Sequence, residues 1–186
     1  MQEFELLSFS HFLGFCICLT AIVFIPKAIQ AKSGLENFSK YLLVFLLVEN
    51  QIRSTYVETL IKGGNLLENL PLHLCDFSAI VIAIFLLTGF RPLFIFAYFW
   101  GIAGAGMSIL TPDSEFAFPH YEYFATMYGH TLILLAVVFS IVNLGQRPYL
   151  RDIPKLIFYS SILLAIMYCI NYILGANYWY LNERPY

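Results

Sequence analysis

The chain has 186 residues, 60% of them hydrophobic and 12% charged, with a mean hydropathy of +0.74 and a formal net charge of −2. A soluble domain carries about 25% charged and 45–50% apolar residues, so a soluble core, a disordered chain and a disulfide-stapled secreted scaffold are excluded. No basic tract is present, which excludes a nucleic-acid binder. The composition reads as all-α: a polytopic membrane helix bundle forming one domain over residues 1–186.

In chain order, the N-terminus Met1-Gln2-Glu3-Phe4-Glu5 is acidic where a signal peptide would be basic, so the first helix is expected to stay in the mature protein. Six transmembrane helices follow, over about 6–25, 41–60, 72–89, 93–110, 124–142 and 156–175, each long enough to cross a hydrocarbon core at 1.5 Å per residue. The first holds His11, Cys16 and Cys18 and is expected to end at Pro26. The second carries Glu49, Asn50 and Arg53; after Gly63-Gly64, Pro71 opens the third, whose first turns hold His73, Cys75 and Asp76. The fourth contains Gly101-Ile102-Ala103-Gly104-Ala105-Gly106, a run of small residues suited to close helix packing. Pro112, Pro119 and His120 precede the fifth, which carries His130 in an apolar run. The sixth holds Cys169 and ends near Asn171, Tyr172 and Asn177, and the aromatic tail from Tyr178 to Tyr180 reads as an interfacial belt. Cys16, Cys18 and Cys169 sit among apolar residues and read as packing side chains rather than a disulfide framework.

Orientation follows from the distribution of Lys and Arg. The loops after the first, third and fifth helices carry Lys27, Lys32, Lys40, Arg91, Arg147, Arg151 and Lys155, against Lys62 and Arg184 on the other side. The N-terminus is therefore expected outside. With that topology, Glu49 and Arg53, the His73–Asp76 turn, His130 and Asn171 all fall in the outer half of the bilayer. Ionisable groups within a membrane are costly and mark function, so their shared depth points to one polar site.

Cys75 and His130 have the residue types for nucleophilic catalysis, a thiolate beside a general base. First-turn amides of the third helix can receive an oxyanion. Asp76 or Glu49 can orient an imidazole, and Arg53 can hold a phosphate. Glu49 and Arg53, four residues apart on one face, can equally neutralise each other, with Asn50 between them. His73, Cys75, Asp76 and His130 lack a diagnostic zinc spacing, so no metal or other cofactor is expected.

Three stretches, Pro71-Leu-His-Leu-Cys-Asp76, Gly129-His130, and Asn171-Tyr-Ile-Leu-Gly-Ala-Asn-Tyr-Trp-Tyr-Leu181 with Pro185, resemble the YwaF family of bacterial integral membrane proteins. More distantly, they are similar to eukaryotic transmembrane acyltransferases that use a Cys/His pair on phospholipids. The resemblance implies a bacterial cell-membrane location and a lipid acyltransferase or acyl hydrolase. Cys75 would take an acyl group from a phospholipid as a thioester, His130 would shuttle the proton, and a lysophospholipid or water would resolve the intermediate. Family chains continue past the Asn-Tyr stretch into a further hydrophobic helix, whereas this sequence ends at Tyr186. Two other classes remain open on the residues alone. One is a transport subunit that binds a small solute through Glu49, Asn50, Arg53 and Asn171; the other is a non-catalytic membrane scaffold, and a homo-oligomer fits any of the three.

Overall fold

A computed structural model describes residues 3–32 and 34–182; the expectations placed on Met1, Gln2, Arg184 and Pro185 concern residues outside that description. The helices are α1 (Phe9–Gln30), α2 (Leu35–Tyr56), α3 (Leu74–Thr88), α4 (Arg91–Trp100), α5 (Gly106–Leu110), α6 (Tyr121–Val142) and α7 (Ile153–Leu174). Among the described residues, the extended structure consists of an isolated antiparallel bridge between Glu3 and Phe116. Two π-helical turns extend these rods: Val57–Ile61 lengthens α2, and Gly101–Ala105 joins α4 to α5 as one rod.

Four rods, Phe9–Gln30, Arg91–Leu110, Tyr121–Val142 and Leu150–Leu174, are long and apolar enough to cross a membrane. α3 is equally apolar but has only 15 residues, and α2 is interrupted by Glu36, Lys40, Glu49 and Arg53. The chain is thus a helical bundle of an integral membrane protein, with four rods that meet the length and composition of a crossing rather than the six expected. Pro26 does not end the first helix, which runs on to Gln30. A helical proline loses one backbone bond and kinks the rod without necessarily stopping it.

Local signals place the ends. Gly89 closes α3 with φ of 69°, a left-handed conformation that glycine adopts without a Cβ clash, and Pro92 in the first turn starts α4. This short reversal makes α3 and α4 antiparallel neighbours. His120 accepts from the Glu122 amide at 3.3 Å and caps α6.

The core lies where α2, α3, α4 and α6 meet, around Leu47, Ile82, Phe85, Phe94, Val137 and Phe139, all at most 2% exposed. α1 lies along α6. Its His11 is buried, with Nε2 3.1 Å from the Leu110 carbonyl and its ring beside Tyr123. A side chain that carried little meaning in the sequence therefore ties three rods together. At the other end of the bundle, the Gln30 amide donates to the Val142 carbonyl at 2.8 Å, and Arg91 grips Asp152 with both terminal nitrogens at 3.0 and 2.7 Å. α7 stands at the periphery and buries only Met167 and Asn171.

Lipid tails are as apolar as leucine, so helices in a membrane associate through close packing rather than exclusion from water. The small residues of the fourth rod serve that purpose: a Cβ on Gly101 would stand 3.1 Å from Ile133 Cγ2 of α6. Gly101→Leu should therefore wedge the rods apart, destabilising the bundle by about 1–3 kcal/mol. The predicted change is a lowered thermal unfolding midpoint in detergent, while Gly106→Leu, with open space at its Cβ, should unfold close to the parent.

Candidate functional site

α3 begins one residue after His73, so Cys75 lies within the first turn rather than beyond it, and Pro71 precedes the helix. Asp76 fixes this start. One carboxylate oxygen accepts from the His73 amide at 3.0 Å, and the other accepts from Gln51 Nε2 of α2 at 2.9 Å. The helix start is thereby anchored both to its own cap and to a neighbouring rod. Behind it, a Cβ on Gly104 in the π-helical turn would stand 3.2 Å from Cys75 Sγ, so a side chain there would press on the sulfur and the glycine lets the fourth rod approach it closely. Ser108, further along the same rod, lines the larger chamber together with Cys75.

His130 comes from α6. Its Nδ1 donates to the Thr126 carbonyl one turn earlier at 2.7 Å. A carbonyl can only accept, so in the neutral ring the proton resides on Nδ1 and Nε2 keeps its lone pair. The Thr126 carbonyl, not a carboxylate, is the hydrogen-bond partner that holds this imidazole. Of the two carboxylates considered from the sequence, Asp76 lines both chambers with His130 and Glu49 lines neither.

Two chambers open on either side of this group, and Gln51, Cys75, Asp76, Thr126 and His130 line both. One, about 370 Å³, is strongly polar, with Arg53, Lys62, Asp113, Tyr121 and Glu122 in its wall. The other, about 570 Å³, is more apolar, bounded by Leu70, Leu74, Leu164, Trp179 and Leu181. Glu58, Glu68, His73 and Asp113 also line this second chamber, so Cys75 and His130 lie where a polar compartment meets one of mixed, more apolar wall. Among the described residues, no group of three or more His, Cys, Asp or Glu side chains is placed to hold a metal ion.

The remaining sequence candidates divide into those at the chambers and those behind them. Arg53 lines the polar chamber, bonded to Asn50 Oδ1 at 2.6 Å, to Glu49 at 3.1 Å and to the Tyr121 hydroxyl, with its guanidinium over the Tyr121 and Tyr128 rings. Asn50 lines the same chamber and packs against Gly129, where a Cβ would fall 2.9 Å from its side-chain nitrogen. Glu49 pairs with Arg53 and is absent from both chamber walls. Its role is to brace the guanidinium.

Asn171 and Asn177 do not reach Cys75. Buried Asn171 donates to the Tyr178 carbonyl and accepts from the Tyr178 amide, both at 2.8 Å, and Asn177 Oδ1 accepts from the Asn182 amide at 3.0 Å. Together they fold the chain back after α7. Tyr178 and Trp179 thus turn inward instead of forming an interfacial belt, while Tyr180 stays 50% exposed. Tyr178 is 1% exposed; its hydroxyl donates to the Leu67 carbonyl at 2.7 Å and accepts from the Leu70 amide at 3.0 Å. Trp179 Nε1 donates to the Leu72 carbonyl at 2.8 Å and its ring meets Phe77 and Trp100 edge-on. Trp179 and Tyr180 adopt φ of 59° and 52°, a left-handed backbone that side chains rarely take. The surrounding hydrogen bonds hold that strain in place. His73 stacks against Tyr178 and Tyr180, its ring centroid 5.0 and 5.8 Å from theirs, and so joins the clamp to the start of α3.

Gln51, Thr126 and Ser108 escaped sequence reasoning. Gln51 left one trace, an amide in an apolar run a single residue from Asn50; Thr126 acts through its backbone carbonyl, which no side-chain pattern reports.

A model of the TMEM164 family matches residues 4–186. A protein of Treponema pallidum (strain Nichols), described as uncharacterized, is 31% identical over 171 residues, covering 91% of this chain and 70% of its own length. No solved structure matches.

The clamp gives a test. Asn171→Ala leaves the Tyr178 amide and carbonyl buried without partners, at a cost of about 1–3 kcal/mol for each unsatisfied group. The aromatic wall of the larger chamber should withdraw, and thiol labelling of Cys75 by a small maleimide should quicken several-fold. An unchanged labelling rate in a folded variant would show that the tail does not shield the sulfur.

Proposed function

The chain belongs to the TMEM164 family, and from that premise we propose that it is a membrane-embedded lipid acyltransferase or acyl hydrolase working through a thioester on Cys75. Its sequence motifs also resemble the bacterial YwaF proteins, and a bacterial cell membrane is the proposed location. The observation that supports this reading most is the presence of Cys75 and His130, the latter with Nε2 unengaged, on the wall common to a polar and a more apolar chamber. A phospholipid ester joins the same two chemistries.

His130 Nε2 takes the proton from Cys75, and Sγ attacks the ester carbonyl carbon. The oxyanion faces the first turn of α3, whose amides have no intrahelical acceptor. The C–O bond breaks as His130 returns its proton to the departing lysophospholipid oxygen, leaving an acyl thioester. A lysophospholipid hydroxyl or water then attacks that carbonyl, losing its proton to His130; the C–S bond breaks and the thiolate is reprotonated. Arg53, held by Glu49, Asn50 and Tyr121, offers its charge to the lipid phosphate in the polar chamber, and acyl carbons occupy the chamber bounded by Leu74, Leu164 and Trp179.

The proposed topology completes the reading: six crossings, with α2 and α3 screened by neighbours, and the Cys75 end facing outside. The excess of Lys and Arg at the opposite end supports that orientation. In a Cys75→Ala background, an impermeant maleimide applied to intact cells should label Asn65→Cys and spare Lys32→Cys; the reverse pattern would invert the topology.

Intact mass after incubation in phospholipid vesicles tests the chemistry. The wild type should gain a fatty-acyl increment removable by hydroxylamine, Cys75→Ala should gain none, and His130→Ala should acylate about 10²–10⁴-fold more slowly. Product formed at the parental rate by Cys75→Ala would overturn the thioester. Stoichiometric, Cys75-independent binding of a water-soluble metabolite would favour a transport subunit instead.

A further inference from the structure

A second cleft lies at the opposite end of the bundle from Cys75, between the first turns of α4 and α7. It has a volume of about 410 Å³, and its floor is apolar, formed by Leu93, Ile95, Phe96, Leu156 and Tyr159. It exists because α7 is seated mainly through its far end, at Met167 and Asn171. Nearer the cleft, α7 is fastened at separate points: the Arg91–Asp152 pair, a hydrogen bond from Trp100 Nε1 to Ser160 Oγ at 3.2 Å, and the Phe96–Tyr159 ring contact.

The rim is cationic. Arg91 is satisfied by Asp152 and by the Arg147 carbonyl at 2.9 Å. The Tyr149 ring lies between two guanidiniums, with Arg91 5.1 Å and Arg151 4.9 Å from its centroid. Lys155 lines the cleft, is exposed, and has no ion pair or hydrogen bond among the described residues. Asp152 is offset by Arg91, which leaves Lys155 as surplus positive charge above an apolar floor; Arg151, over the Tyr149 ring, lies outside the cleft wall. This end also carries Lys27, Lys32, Lys40 and Arg147.

We infer that this cleft binds an anionic glycerophospholipid, its phosphate at Lys155 and its acyl chains lying between α4 and α7. Basic pockets between membrane helices at a cation-rich end hold anionic headgroups by charge and acyl chains by contact. The bound lipid fills the space that protein side chains leave beside α7, and so secures the helix whose far end carries Leu164 and the aromatic clamp into the larger chamber. The inference stands apart from the proposed acyl chemistry, because it concerns a different set of residues.

Delipidated full-length protein in neutral detergent is titrated with phosphatidylglycerol, with phosphatidylcholine of the same chains, and with inorganic phosphate, reading the unfolding midpoint and the lipid retained in native mass spectra. Phosphatidylglycerol should raise the wild-type midpoint by several degrees and be retained at one molecule per chain, at least threefold over phosphatidylcholine. Lys155→Glu, at an exposed position, and Leu156→Trp, which fills the floor, should each lose that preference, whereas Lys27→Glu at the same end should keep it. Equal response to both lipids, or an undiminished preference in Lys155→Glu, would overturn the inference. A shift reproduced by inorganic phosphate alone would overturn it too, by showing a soluble-anion site without an acyl floor.

Discussion

The start of α3 rests on the two oxygens of one carboxylate. Asp76 accepts from the His73 amide with one and from Gln51 of α2 with the other, so the residue that caps the helix also fixes its position against the next rod. Cys75 is the preceding residue and inherits that placement. The same carboxylate shares the walls of both chambers with His130 of α6. Ionisable groups within a membrane bundle are costly, so a half-buried acid with both oxygens engaged is a strong constraint, and the junction of α2 and α3 is organised around it.

Around this anchor the structure separates support from contact. Glu49, Asn50 and Tyr121 hold Arg53 at the polar chamber; Asn171 holds Tyr178, which holds the Leu67–Leu70 backbone leading into α3. Both networks spend side-chain hydrogen bonds on geometry; the first ties α2 to α6, and the second converges on the segment that leads to Cys75. The left-handed residues Trp179 and Tyr180 belong to the second network, where strain is sustained by partners on both sides. The glycines act in the opposite sense, by omission: Gly104 makes room for the sulfur and Gly129 for Asn50.

Much of the fold was legible because its signals are local. Apolar runs and the Gly/Pro punctuation between them located the rods, although α1 ends five residues later and α2 begins six residues earlier than expected, and an imidazole, thiol and carboxylate in such runs stood out against the cost of placing them there. Cys75, Asp76, His130, Asn50 and Arg53, grouped by the depth argument, line one chamber. Asn171 and Asn177, expected at the same end, serve the tail instead. Depth along a helix fixes height but not azimuth, and whether a side chain points into the chambers or toward the tail is an azimuthal question. Pro26 misled for a related reason: its helix-breaking tendency is local, and packing of α1 along α6 overrides it.

By itself, then, the sequence determined a helical membrane protein, the spacing of its rods, and the chemical types gathered at one end, because hydropathy and residue chemistry are properties of single positions and short windows. The tertiary structure alone decided which carboxylate shares the chamber walls with His130, which glycine makes room for the Cys75 sulfur, and that Tyr178 and Trp179 turn inward as a clamp. Each of those depends on contacts between segments far apart in the chain, such as Leu67 with Tyr178 or Gly104 with Cys75. No periodicity within either segment encodes the distance to the other.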